Sequence, residues 1–285
     1  MRMLFAAYQK PVGQPMELTD AFQTTISDSR RDEFERLAGK TGLTDVEVDR
    51  LREMMQISLA ARVKPPVLVK SHNARVRHNG FPLIRRELTL GAVYMVRNPL
   101  DVVDSVADHW GCSIDDAIAM MNNPQLSIGG QNDAMVRQYL QNWSLHVASW
   151  IDQPAFPTHV VRYEDLKSST ELTFRNVLTF LGWPLDSQRI AHAIEQTNFK
   201  KLQQQEANHG FAETSKCSIG GRFFRNGNTG HGVSMLTSLQ YQRIVKQHGA
   251  VMERIGYTNQ SQCVAHHIDT SDSDGGIAAH DEVLG

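Results

Sequence analysis

No apolar run in this 285-residue chain approaches the roughly 18 residues that a membrane-crossing helix needs, so the sequence offers no candidate span. Cysteine is scarce. Cys112, Cys217 and Cys263 are widely spaced and odd in number, which excludes a disulfide framework and fits a reducing cytoplasm. Neither sign of charge dominates: 29 Lys and Arg stand against 31 Asp and Glu, for a formal net charge of −2. That balance excludes broad attraction to nucleic acid but allows a local basic pocket. A Gly-x-x-x-x-Gly-Lys phosphate loop is also lacking. Its nearest imitation, Gly39-Lys40-Thr41, has Phe34 where the first glycine belongs and follows a helical pattern, so Gly39 is expected to cap a helix. A P-loop kinase is therefore left without its signature. The stretch from Met1 to Tyr8 is too short for a signal peptide and reads as the end of an amphipathic helix.

What is present points to an α/β protein. A 41% hydrophobic content supports a sizeable core, and 21% charged residues are ordinary. Three short apolar runs, 67–70, 92–96 and 159–162, read as buried parallel strands separated by helices, which implies crossover connections. Thr44-x-x-Glu47 is a capping box with Leu43 and Val48 placed as a staple, and Leu51, Met54, Met55 and Leu59 follow on one face. Ser168-x-x-Glu171 is expected to open a second helix carried by Leu172, Val177, Leu178 and Leu181, and Gly182 to end it. Thr237-x-x-Gln240 opens a third, and Tyr139, Leu140, Trp143, Val147 and Trp150 form a core face at helical spacing. Residues 111–131 are expected to be an irregular loop over the substrate, and 208–232 a Gly-rich wrap. Residues 1–258 are expected to form one domain and 259–285 a disordered tail; there, Cys263, His266 and His267 only mimic a metal cluster, and no metal site is expected.

Residues 93–105, Val-Tyr-Met-Val-Arg-Asn-Pro-Leu-Asp-Val-Val-Asp-Ser, carry the most chemistry. A strand should end at Val96. Asn98 then caps a helix that has Pro99 at its first position and Asp101 in its first turn. Helix N–H groups and the Arg97 guanidinium converge there, which suits a phosphate; the same spacing also fits an ordinary turn with a surface arginine. Arg97-x-Pro99-x-Asp101-x-x-x-Ser105 resembles the 3′-phosphate-binding segment of sulfotransferases that use 3′-phosphoadenosine 5′-phosphosulfate (PAPS). The resemblance implies a P-loop-type parallel sheet flanked by helices and assigns Arg97 and Ser105 to the 3′-phosphate.

Further segments resemble that family in family order, over about residues 1–258. Lys70-Ser71-His72 is similar to its Lys-Thr-His segment, which makes His72 the general base, with Lys70 beside it in the catalytic segment. On spacing alone His72 reads as a strand-end cap. Arg162-Tyr163-Glu164-Asp165-Leu166 resembles the strand end whose Tyr lies by the adenine, so Tyr163 takes that role; Glu164 and Asp165 read better as helix-start carboxylates. Thr197-Asn198-Phe199 resembles a segment that gives the adenine a hydroxyl and an aromatic ring, although such a Phe is more often plain core. Arg225-Asn226-Gly227-x-x-Gly230 resembles the Arg-Lys-Gly-x-x-Gly-Asp-Trp loop that closes on the 3′-phosphate. Asn226 replaces its Lys, and His231-Gly232 its Asp-Trp.

The resemblance thus implies sulfuryl transfer from PAPS to a hydroxyl-bearing acceptor, with release of adenosine 3′,5′-bisphosphate (PAP) and no metal, nucleic acid or membrane partner. The alternative is a catalytically impaired nucleotide-binding or interaction protein on the same scaffold. Family members carry a Lys-Ser-Gly-type loop for the 5′-phosphosulfate before the helix that Met1–Tyr8 resembles, and this sequence contains no such loop. Loss of three hydrogen bonds to charged groups, at roughly 1.5–3 kcal/mol each, costs at least about 4.5 kcal/mol, on the order of 10³ in donor affinity. The expectation is a start site placed too late, with a weakly catalytic variant as the other explanation. It predicts an in-frame Lys-Ser-Gly-like loop in the DNA just upstream; a stop codon there overturns it.

Overall fold

The computed structural model describes residues 1–62, 67–131, 133–152 and 154–257. The expected tail from residue 259, with Cys263, His266 and His267, lies outside them. All three anticipated strands form. The second, β5 (Ala92–Val96), pairs in parallel with β8 (Thr158–Arg162), from Ala92 opposite Thr158 to Val96 opposite Arg162. The first is shorter than expected: β2 (Val69–Lys70) pairs in parallel with β1 (Ile26–Ser27). Among the described residues the hydrogen-bonded ladders are two-stranded, and two antiparallel ones accompany the parallel pairs. These are β3 (Arg77–His78) with β4 (Phe81–Pro82), and β6 (Ser127–Ile128) with β7 (Gln138–Tyr139). β1 and the antiparallel strands are two residues long, too short for an alternating pattern to announce them.

Helices cover the strands. α1 (Arg2–Gln9) buries Leu4, Phe5, Ala6, Ala7 and Tyr8 against α9 (Thr170–Phe180) and α10 (Ser187–Gln196), where Phe174, Val177, Leu178, Ile190 and Ala193 complete one core. Tyr94 and Val96 of β5 form a second core with α5 (Pro99–Trp110), α6 (Ile114–Asn122), α7 (Trp143–Ile151) and α13 (Ser238–Arg254). A third joins α3 (Arg31–Ala38) to α4 (Asp45–Arg62) through Phe34, Leu43, Val48, Met55 and Leu59. The remaining helices are α2 (Asp20–Thr24), α8 (Tyr163–Ser168), α11 (Phe199–His209) and α12 (His231–Met235). Gly39 ends α3 at φ +67°, the cap expected of it.

Local signals were read well where a side chain caps its own helix. Thr44 and Glu47 close their capping box, and Thr237 and Gln240 close theirs. Ser168 does not. It ends α8, and α9 starts two residues later, its Glu171 held instead by Arg175 at 2.9 Å. Met54 and Leu172, expected inside, are exposed, because Met55 and Leu59 of α4 and Phe174 and Val177 of α9 define the buried stripes. Tyr139 belongs to β7 rather than to a helix. Residues 111–131 are also more ordered than expected. Ser113 caps α6 by accepting from the Asp116 N–H at 3.1 Å, and Ala117, Ile118 and Met121 pack inward.

α13 carries a titratable group into the second core. His248 is fully buried; its Nδ1 lies 2.9 Å from the Ser144 hydroxyl, and burial holds its pKa down to about 4. The folded state therefore binds that proton more weakly than the unfolded chain does. The resulting stability is complete above pH 6.5 and is lost as pH falls through 4, an effect of about 3 kcal/mol at ~1.4 kcal/mol per unit. Urea midpoints of wild type should fall steeply from pH 6.5 to 4, and those of His248→Gln less so. Parallel profiles would show that His248 does not govern the acid limb.

Candidate functional site

β5, the turn after it and α5 build the first half of the site. Asn98 Oδ1 accepts the Leu100 N–H at 3.0 Å and Pro99 occupies the first helical position, so the chain turns sharply with Arg97 at the corner. The turn is held from β8's side: Glu164 accepts the Asn98 N–H at 3.1 Å and the Tyr257 hydroxyl at 2.7 Å. Asp165 pairs with Arg162 at 2.7 Å. Both carboxylates thus act at the start of α8, as their sequence position suggested.

Arg97 is the hub of this half. Its Nη1 lies 3.3 Å from Ser105 Oγ, its Nη2 donates to the Asn228 carbonyl at 2.8 Å, and its guanidinium lies 4.7 Å from the Tyr163 ring centre. Nε is buried and has no partner among the described residues. Tyr163 donates its hydroxyl to the Gly227 carbonyl at 3.2 Å. Phe199 packs so closely on Gly227 that a Cβ there would fall 2.6 Å from its ring, and the backbone at 227 has φ +58°, so only glycine fits. Beside them, Lys167, Ser168, Gly227, Asn228, Thr229, Gly230, His231 and Ser234 line a cleft of about 510 Å³. Lys167 stands over the Phe199 ring at 5.1 Å.

The structure therefore gathers Arg97, Ser105, Tyr163, Phe199 and Gly227. Other residues of the expected set are engaged elsewhere. Arg225 pairs with Asp104 at 2.8 Å and Asp108 at 3.3 Å, on one face of α5. Thr197 donates its hydroxyl to the Ala193 carbonyl of its own helix at 2.7 Å. Asn226 is exposed.

Asp101 was legible only as a first-turn acid, yet it fastens the loop. Its two oxygens accept the Gly230 and Gly232 N–H groups, each at 2.8 Å, while the side chain is buried. Gly232 lies so close to the Leu100 carbonyl that a Cβ would sit 1.8 Å from it, which gives a reason for glycine at this position.

The second half lies at the end of β2. Lys70 Nζ is 2.6 Å from Glu213 Oε1, and Arg2 Nη1 reaches the same oxygen at 2.6 Å. Burial opposes ionisation of Glu213, but the bonds and charges of Lys70 and Arg2 outweigh it and hold its pKa below the ordinary value. The His72 carbonyl accepts from His146 Nε2 at 3.2 Å, and His146 Nδ1 is 2.9 Å from the Tyr94 hydroxyl. His72 itself is exposed at the surface. Desolvation by the protein around its ring, and next the Lys70 ammonium, lower its pKa to about 4, while Glu213 pulls the other way. The ring is thus neutral at pH 7 and able to accept a proton. Sequence reasoning missed Arg2 and Glu213, because their contact joins residues 211 positions apart.

Comparison with known proteins finds relatives of this chain. Rat sulfotransferase 2A6 is 25% identical over 158 residues, covering 54% of this chain and 54% of its own. Mouse sulfotransferase 2A2 is 24% identical over 163 residues, again covering 54% of each. The chain thus spans about half the length of the curated relatives it matches. Among solved structures, retinol dehydratase with androsterone and inactive cofactor PAP superposes with a TM-score of 0.52 at 18% identity, over 81% of this chain and 70% of that one. The same protein with retinol and PAP gives 0.51, over 81% and 71%. Those likenesses show the sulfotransferase fold. The family described as "Sulfotransferase domain" matches residues 26–256, a span that includes both halves of the site apart from Arg2, and the chain belongs to that family.

Proposed function

We propose that this protein transfers the sulfuryl group of PAPS to a hydroxyl-bearing acceptor and releases PAP. One observation carries the reading: the buried Arg97 Nε has no partner among the described residues, in a corner where Ser105, Tyr163 and Gly227 already meet. A buried guanidinium N–H without an acceptor costs free energy, and an anionic oxygen relieves it. The residues present therefore fit a phosphorylated nucleotide.

In this reading Arg97 and Ser105 hold the 3′-phosphate, with Arg97's carbonyl contact to Asn228 as the bond to be exchanged. Tyr163, Phe199 and Thr197 frame the adenine. Gly227 lets the loop approach, and Arg225 and Asn226 belong to the same loop, with Arg225 reaching phosphate only on leaving Asp104 and Asp108. PAPS, when bound, supplies the sulfuryl group and a phosphate leaving group. His72 takes the proton from the acceptor hydroxyl as that oxygen bonds to sulfur. Lys70 places positive charge beside His72, where negative charge develops in the transition state. Cys112 and Cys217 are free thiols, in keeping with a cytoplasmic location. Among the described residues no helix is long and apolar enough to cross a membrane.

Calorimetric titration with PAP tests the nucleotide site. Wild type should bind, and Arg97→Ala should bind about 10- to 100-fold more weakly, from the loss of one charge-assisted bond. Undetectable binding to folded wild type overturns the reading.

Transfer of labelled sulfate from PAPS tests the base. Since His72 must be neutral to accept a proton, and its pKa is about 4, activity should hold between pH 7 and 5 and fall only near 4. His72→Ala should abolish transfer while PAP still binds. PAP binding without any transfer by wild type would instead favour the non-catalytic nucleotide-binding protein.

A further inference from the structure

We infer that Arg2 and Lys70 form a binding site for a tetrahedral oxyanion beside His72, and that Glu213 fills this site as an internal substitute until such an anion displaces it. Both cations converge on one oxygen, Glu213 Oε1, at 2.6 Å each. All three side chains are about four-fifths buried, with relative exposures of 18%, 22% and 23% for Arg2, Lys70 and Glu213. Two cations share one carboxylate oxygen, and His72, neutral at pH 7, adds no charge; Asp28, the further acid that interacts with Lys70, has its pKa raised by burial. The Arg2 side chain is fixed by the structure around it: Nε donates to Thr25 Oγ1 at 2.7 Å, and the guanidinium packs 5.1 Å from the Phe22 ring centre. Lys70 sits on a strand. The cations are therefore built into the framework, and the carboxylate is not.

Glu213 comes from the segment 210–230, which contains no helix or strand. It is held at other points by framework acids. Glu206 accepts the Phe223 and Phe224 N–H groups at 2.6 and 2.9 Å and the Thr214 hydroxyl at 2.8 Å, and Asp108 accepts the Gly220 N–H at 2.8 Å. These anchors keep the segment close when Glu213 lets go. A carboxylate presents two oxygens in a plane. Sulfate or a phosphosulfate end presents three or more in a tetrahedron, so both cations can have their own oxygen instead of sharing one. The exchange is an ion substitution with no bond made or broken. The inference rests on the sulfotransferase reading only for the natural source of the anion, which is free sulfate or the sulfuryl end of a nucleotide donor.

Inorganic sulfate is the probe. In calorimetric titrations of the full chain, Glu213→Gln should bind sulfate about tenfold more tightly than wild type, because it removes the competing charge and keeps the shape. Arg2→Gln should bind it at least tenfold more weakly. Unchanged or weaker binding by folded Glu213→Gln overturns the inference. A second measurement needs no variant: sulfate should speed amide exchange at residues 211–216 of wild type as Glu213 is released, and unaltered exchange under saturating sulfate overturns it equally. PAPS expelling sulfate where ATP does not would assign the sulfuryl end as the natural occupant; neither expelling it would assign the free anion. If sulfate behaves as expected and PAP fails to bind, the anion site stands and the donor reading falls. If PAP binds in an Arg97-dependent way and sulfate ignores Glu213, only the present inference falls.

Discussion

The two hydrogen bonds from the Gly230 and Gly232 N–H groups to Asp101, each 2.8 Å, hold together the half of the site that recognises a nucleotide. Asp101 is buried in the first turn of α5, where a buried carboxylate survives only if it is well solvated by donors. The two loop amides and the helix N-terminus supply that solvation. In return the carboxylate fastens the start of α12 (His231–Met235), and so fixes the end of the Gly-rich segment 210–230 that leads into it. Asn228 then reaches Arg97, Gly227 comes under Phe199, and Tyr163 finds the Gly227 carbonyl. Without the Asp101 contacts, Arg97 would keep Ser105 and the Tyr163 ring but lose the Asn228 carbonyl.

The partners of the site's cations differ in strength, which ranks how readily each can turn to a ligand. Arg97 holds a neutral carbonyl and a hydroxyl, and one of its N–H groups holds nothing among the described residues. With a charged donor, bonds of that kind contribute roughly 1.5–3 kcal/mol. Arg225 holds two carboxylates, and Arg2 and Lys70 share one. A carboxylate acceptor adds the Coulomb attraction of two opposite full charges to such a bond. Arg97 is therefore the group already poised for an incoming phosphate, and the others must first be released.

What the sequence revealed divides along chain separation. The turn at Arg97–Pro99 and the capping boxes at Thr44 and Thr237 are local: each is complete within a few residues, so spacing alone displays it. Met54 and Leu172 misled because a helix offers two adjacent apolar stripes, and only the neighbouring elements decide which one is covered. The pairing of Arg225 with Asp104 and Asp108 joins elements about 120 residues apart. So does the Asp101 latch, at 129 and 131 residues. No periodicity encodes such contacts. The glycines at 227 and 232 did carry a trace of them, since each marks a place where another chain segment comes within a Cβ's reach.

The same separation explains how the two halves of the site are coupled. The segment 210–230 touches the Lys70 end through Glu213 and the Arg97 end through Asn228, so it senses both. His72 shows the consequence. Desolvation by the surrounding protein and the Lys70 charge lower its pKa, and Glu213 raises it. If Glu213 withdraws and nothing replaces it, Lys70 acts unopposed and His72 becomes a still weaker base. If an anion takes its place, the opposing charge is restored at the moment a proton must be accepted. The basicity of His72 then depends on occupancy of the neighbouring cations.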